Sequence, residues 1–250
     1  MMNINFWLGY VSEWLGAVAV VMIAAISPML KKIRRIDFRF PRREATFALS
    51  LFVLVYFLAF QYYSSDFFLF LKKFAGIFSG GVIAERMLLA VISLVLFLIA
   101  LVLRGQPFKS IGWGRANTRA GVIVGLLLVI LTIFLRGKFI TVLNGITADE
   151  ASLLLVILAL CVAEETIFRG YIQLRLMSFL GNTWGWLATA GLFILWQLPG
   201  RLWLYPLSEI WVDLVIAAVQ GLLFGWIMRK TGHVTSTILF RAAATWIQFL

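Results

Sequence analysis

Ala163-Glu164-Glu165-Thr166-Ile167-Phe168-Arg169-Gly170 sets three ionisable side chains inside a stretch that otherwise reads as lipid-soluble. Upstream runs Ser152-Leu153-Leu154-Leu155-Val156-Ile157-Leu158-Ala159-Leu160-Cys161-Val162, and Tyr171-Ile172-Gln173-Leu174 follows. A charge at membrane depth costs about 2.5 kcal/mol or more, so it persists only when paired or facing a polar cavity. Neighbouring helical residues point roughly 100° apart, so one arginine is not expected to serve both acids. Glu165 and Arg169 stand four apart on one face and can pair. Glu164 then needs another partner, or a chemical task.

Composition places the rest of the chain in the same solvent. Of 250 residues 62% are hydrophobic and only 13% charged, and the mean hydropathy is +0.99. A soluble domain of this length cannot hide that much apolar surface. The net charge of +11 suits basic loops against an anionic leaflet. Nucleic-acid binding is not expected, because no basic-aromatic groove is visible. The single cysteine, Cys161, rules out an intrachain disulfide,. No basic region precedes the first apolar run, so a cleaved secretory signal is not expected.

Apolar run length divides the chain into about eight spans. They lie near Trp14–Leu30 (with Pro28 close to its end), Ala45–Tyr63, Met87–Leu103, Ala120–Leu135, Ala151–Leu176, Trp184–Leu198, Trp211–Met228 and Val234–Leu250. The densest basic run, Lys31 to Arg43, and the acid-free loop with Arg104, Lys109, Arg115 and Arg119 both belong to the cytoplasm by the positive-inside rule,. Arg229-Lys230 falls on the same side, and the N-terminus falls outside. Between the second and third spans, Phe67-Phe68-Leu69-Phe70 is expected in the membrane interface and Gly80-Gly81 in a turn. Gly181-Asn182-Thr183 and Thr231-Gly232-His233 read as breaks, and Pro199-Gly200 as a helix stop. The expectation is an all-α polytopic protein with a single membrane domain over 1–250, in which 1–150 supply N-terminal helices and 151–250 the chemistry.

The devices of other intramembrane proteases are absent: no His-Glu-x-x-His, no Gly-x-Ser-x-Gly. Cys161 lies one turn from two carboxylates, a poor setting for a thiolate, and reads as a small core residue. What is present resembles the CPBP family, the CAAX-protease and bacteriocin-processing (Abi) intramembrane endopeptidases. Glu164-Glu165-Thr166-Ile167-Phe168-Arg169 is similar to its Glu-Glu-x-x-x-Arg motif. Phe193-Ile194-Leu195-Trp196-Gln197 stands where the family has Phe-x-x-x-His, and Arg241-Ala242-Ala243-Ala244-Thr245 where it has His-x-x-x-Asn. Gly221-Leu222-Leu223-Phe224-Gly225-Trp226 is similar to the lead-in to that last helix.

The resemblance implies a CAAX-protease-like core and a glutamate-activated water. Glu164 would be the base, Glu165 and Arg169 its supporting pair, and Gln197, Arg241 and Thr245 the donors to an oxyanion, which needs N–H or O–H groups rather than histidines. Phe193 and Trp196 would contact substrate. The expected substrates are prenylated or hydrophobic peptides, cut near the cytoplasmic side of a prokaryotic plasma membrane. No cofactor is expected, and no metal, since neither an amide nor a guanidinium suits zinc. Replacing both histidines also removes a proton shuttle near neutral pH. The alternative is a catalytically degenerate member in which Glu164–Arg241 and Glu165–Arg169 form a buried network, acting as a scaffold for a transmembrane partner. A carboxylate-coupled transporter would predict inverted repeats and broken helices, and neither is evident. The only histidine, His233, reads as an interfacial residue about 12 Å along the helix from Arg241.

Overall fold

In hydrocarbon every backbone N–H and C=O must be satisfied within its own segment, so uninterrupted apolar runs become helices. The computed structural model describes residues 4–27, 30, 36, 38–204 and 206–250, and among these there is no strand. Pro28, Lys31 to Arg35 and Asp37, which carry the expected first stop and most of the first basic run, lie outside the described residues. Helix α1 (Ile4–Ile26) is followed by α2 (Pro41–Ser64), the short α3 (Leu69–Ala75) and α4 (Val82–Leu103). A 3-10 turn at Phe108–Ile111 precedes α5 (Arg115–Leu135) and the short α6 (Phe139–Leu143). Helix α7 (Ala148–Glu165) continues through a π-helical segment (Thr166–Ile172) into α8 (Gln173–Leu180). Then come α9 (Asn182–Leu204), α10 (Leu207–Thr231) and α11 (Thr235–Trp246).

Six stretches of the described residues are long and apolar enough to cross a membrane: Trp7–Ile26, Pro41–Ser64, Val82–Leu103, Phe108–Leu135, Ala148–Leu180 and Ile210–Thr231. They correspond to the expected first five spans and the seventh, and the chain is an integral membrane protein. The expected sixth and eighth are helices, but the count of eight is not reached by this standard. Helix α11 has 12 residues, about 18 Å of rise against a core of about 30 Å. Helix α9 carries Asn182, Thr183, Gln197 and Arg201 along its length.

One boundary departs from expectation for a clear reason. Pro199 does not stop α9, which continues to Leu204. Unwinding there would strand backbone groups in an apolar medium, a larger cost than the single N–H that proline lacks. The extra turn carries Arg201 to where it donates to Gln197 Oε1 (2.9 Å) and Asp213 (3.0 Å).

The helices meet through small residues and a few polar ties. Gly121 and Gly125 of α5 lie so close to α11 and the turn before it that a Cβ would come within 2.8 Å of His233 in the turn or of Leu239 in α11, the small-xxx-small packing of membrane helices. Gly170 is tighter still: its Cβ would stand 2.2 Å from the Ile111 carbonyl oxygen. The acid-free loop is therefore wedged against the π segment, and Trp113 adds a bond from its indole N–H to Thr166 Oγ1 (3.1 Å). At this basic end of the bundle Glu44 of α2 accepts from Arg104, Gln106 and the fully buried Arg175.

His233, in the turn before α11, is 1% exposed: Nδ1 accepts from Thr235 N–H (3.2 Å) and Nε2 faces Thr118 Oγ1 (3.3 Å). At the opposite end Thr147 caps α7, accepting from Glu150 N–H while the Glu150 carboxylate accepts from Thr147 N–H, a capping box. There too Trp246 donates to the Glu150 carbonyl (2.8 Å) and Arg136 to Glu13 (2.7 Å). Phe67 and Phe70 at that end are 86% and 77% exposed.

Candidate functional site

The acidic pair sits where α7 passes into the π segment, a local irregularity common at functional sites. Glu164, Glu165 and Arg169 are all fully buried. Glu164 Oε1 accepts from Arg86 Nε (2.9 Å) and from the Trp196 indole N–H (2.9 Å). Its Oε2 accepts from Arg86 Nη2 (2.9 Å) and from Arg241 Nη2. Arg241 Nη1 donates to Glu165 Oε1 (2.9 Å). One arginine therefore does serve both acids, contrary to the expectation from a single helix. Arg241 comes from α11, which packs across α7, and its two terminal nitrogens are splayed so that each meets a different carboxylate. The 100° between neighbouring side chains limits partners on the same helix, not a fork arriving from another.

Arg169 faces Glu165 at 3.4 Å but makes no hydrogen bond with any of its nitrogens. Its guanidinium lies 4.5 Å from the centre of the Phe193 ring, and that of Arg241 lies 5.1 Å from the same ring. Phe193, 1% exposed, thus has both guanidinium groups within cation–π range of its ring,. Trp196 is part of the carboxylate's hydrogen-bond shell.

Gln197 and Thr245 make no hydrogen bond to either glutamate. Both line a cavity of about 210 Å³ together with Arg86, Cys161, Phe193 and Arg241. A second cavity of about 180 Å³ shares Ile83, Arg86, Gln197, Arg201 and Asp213 with it. With these five lining residues in common, the two cavities are together called the chamber. Tyr10, Arg86, Arg201, Asp213 and Gln248 of its lining lie near the start of α1, the start of α4, the end of α9, the start of α10 and the end of the chain. All of these are at the end of the bundle opposite the basic loops.

Arg86 was missed in the sequence, where it reads as the last residue of a mixed-sign linker. A charged pair, Glu85-Arg86, immediately before an apolar run was the available signal, but nothing local says that Arg86 reaches Glu164 78 positions away. The carboxylates do not fit a metal: the oxygens of Glu164 and Oε1 of Glu165 already face guanidinium nitrogens, and a cation there would meet like charge. No three His, Cys, Asp or Glu side chains gather to hold a metal among the described residues. No curated protein and no solved structure matches the chain. Residues 147–247, which hold the glutamate pair, Arg169, Gln197 and Arg241, match the family described as type II CAAX prenyl endopeptidase Rce1-like, and this region is an Rce1-like domain of the CAAX-protease (CPBP) family.

Proposed function

We propose that this chain is a CAAX-protease-type membrane protein that holds a hydrophobic or prenylated peptide, or a partner's transmembrane segment, in its chamber without hydrolysing it. The saturation of Glu164 carries this reading. A carboxylate offers about four acceptor positions, and Arg86, Trp196 and Arg241 supply four donors to it. A general base must hydrogen-bond the water it activates, and no position is left for one. The same arginines bind α4 and α11 to the α7 carboxylates, which suits a scaffold.

A second reading keeps Glu164 as the base, Glu165 and Arg169 as its supporting pair, and Gln197, Arg241 and Thr245 as oxyanion donors, with Phe193 and Trp196 against substrate. It draws on Arg86, whose side chain is 27% exposed and can withdraw toward the chamber. The test is hydrolysis of fluorogenic peptides, prenylated and unmodified, by the purified full chain and by Glu164→Ala. Equal background rates are expected. Turnover by the wild type that Glu164→Ala abolishes would establish the hydrolase instead.

In a prokaryotic plasma membrane with the basic loops cytoplasmic and the N-terminus outside, the chamber faces away from the cytoplasm.

A further inference from the structure

We infer that the groove between α1 and α10 holds an anionic phospholipid, with an acyl chain lying in the groove and the headgroup phosphate held by Arg229 and Lys230. The groove has a volume of about 400 Å³ and shares no lining residue with the chamber, so the site stands whether or not the chamber cuts a peptide.

Residue spacing builds the groove. Its wall on α1 is Val11, Trp14, Leu15 and Val18. On α10 it is Val219, Leu222, Leu223 and Trp226. Each set follows i, i+3, i+4, i+7, one face of a helix, and runs about 10 Å along its axis. Trp186, in the second turn of α9, completes the lining. Its indole N–H donates to the Leu222 carbonyl oxygen (2.9 Å), and a Cβ on Gly225 would stand 2.6 Å from its ring. The indole is therefore a fixed wall. Leu15 is 65% exposed, so the groove is open on its outer side.

The stripe on α10 does not end at Trp226. Arg229 and Lys230 follow it at i+3 and i+4, on the same face,. The Arg229 guanidinium lies 5.1 Å from the centre of the Trp186 ring, and the Lys230 ammonium 5.9 Å from that of Trp226, within cation–π range. Two cations are thus seated on two indoles of the groove. Both are half-buried, and neither makes an ion pair or hydrogen bond with a described residue. The one described carboxylate at this end of the bundle, Glu44, is taken by Arg104, Gln106 and Arg175. Asp37, outside the described residues, stands in the sequence between Arg34-Arg35 and Arg39.

An anionic phospholipid matches both halves of the site. Its acyl chain fills an apolar groove without needing a hydrogen bond, and its phosphate oxygens accept from a guanidinium and an ammonium. Basic residues at a membrane surface draw anionic lipid to it. An apolar helix from a partner would cover the groove but leave the two cations without an anion.

Native mass spectrometry of the full chain released from detergent micelles counts bound lipid and tests the site. The probes are dioleoyl phosphatidylglycerol, dioleoyl phosphatidylcholine, and glycerol 3-phosphate, which offers the phosphate without chains. The first phosphatidylglycerol is expected to bind roughly tenfold or more tightly than the first phosphatidylcholine, since a basic residue near a membrane surface contributes about fivefold. Arg229→Gln with Lys230→Gln should bring that ratio near one. Arg115→Gln with Arg119→Gln, exposed basic residues at the same end, should leave it unchanged. Val18→Trp, at a position 38% exposed, should fill the groove and weaken both lipids. If the Arg229 and Lys230 variant fails to fold, the wild-type ratio and Val18→Trp still decide. Equal binding of the two lipids, a ratio unchanged without Arg229 and Lys230, or an equal fall without Arg115 and Arg119 overturns the inference. So does undiminished binding in Val18→Trp, glycerol 3-phosphate binding as tightly as the lipid, or a second copy of the chain bound in the lipid's place.

Discussion

Arg241→Met tests the buried network most directly. The Arg241 side chain is 8% exposed and the two glutamates it joins are at 0%, so solvent screens little of the interaction. Methionine keeps much of the length and apolar contact but removes both bonds at once. Taking one partner from a buried ion pair costs about 3–5 kcal/mol, or roughly 10 °C of unfolding midpoint at about 2–4 °C per kcal/mol for a chain of this size. The loss is not shared evenly. Glu164 keeps two bonds from Arg86 and one from Trp196, whereas Glu165 keeps only Arg169 at 3.4 Å without a hydrogen bond. Adding Glu165→Gln to Arg241→Met should therefore restore about 1–3 kcal/mol, and adding Glu164→Gln clearly less. Thermal unfolding of the detergent-solubilised variants, followed by tryptophan fluorescence, gives the cycle. Additivity within about 0.5 kcal/mol for the Glu165 pair would refute the view that these charges are held by one another.

Three further outcomes are expected. Gln197→His with Arg241→His frees a Glu164 oxygen and places imidazoles at both altered motif positions, so Glu164-dependent peptide hydrolysis should appear; a double variant as inert as the wild type would show that Arg86 alone suffices to block the carboxylate. In intact cells Asp213→Cys should react with an impermeant maleimide while Lys109→Cys reacts only after permeabilisation, the buried Cys161 staying silent in both; the reverse pattern would invert the orientation. Burial holds the His233 pKa below the usual imidazole value, so the unfolded chain takes up a proton near pH 6.5 that the folded chain refuses. Stability should be flat above about pH 6.5 and fall as the pH drops from there toward the lower folded value, and His233→Gln should flatten that slope in the same unfolding measurement.

How much was legible beforehand differs between elements. The breaks at Gly80-Gly81, Gly181 and Gly232 and the helices around them follow from local chemistry, since glycine is freed from the constraint a Cβ imposes. The π segment was not legible, because Thr166 to Ile172 has the same apolar pattern that a plain α-helix would show. Pro199 misled, since its local preference to end a helix was overridden by the medium. At the site, Glu164, Glu165 and Arg169 stand out as charges in an apolar run, and Gln197 and Arg241 were found through motif order. Arg86 and the donor role of Trp196 had no such marker.

The chain alone determined that this is a helical membrane protein with a costly acidic pair, because transfer free energies depend on residue type and run length, both of which are written in the sequence. Which partner neutralises which acid was decided only by the tertiary structure. That outcome depends on how α4, α9 and α11 approach α7, and so on packing contacts such as Gly121 and Gly125 against α11 and Gly170 against Ile111. The end of the bundle on which the chamber opens was decided in the same way, by side chains brought together from α1, α4, α9 and α10.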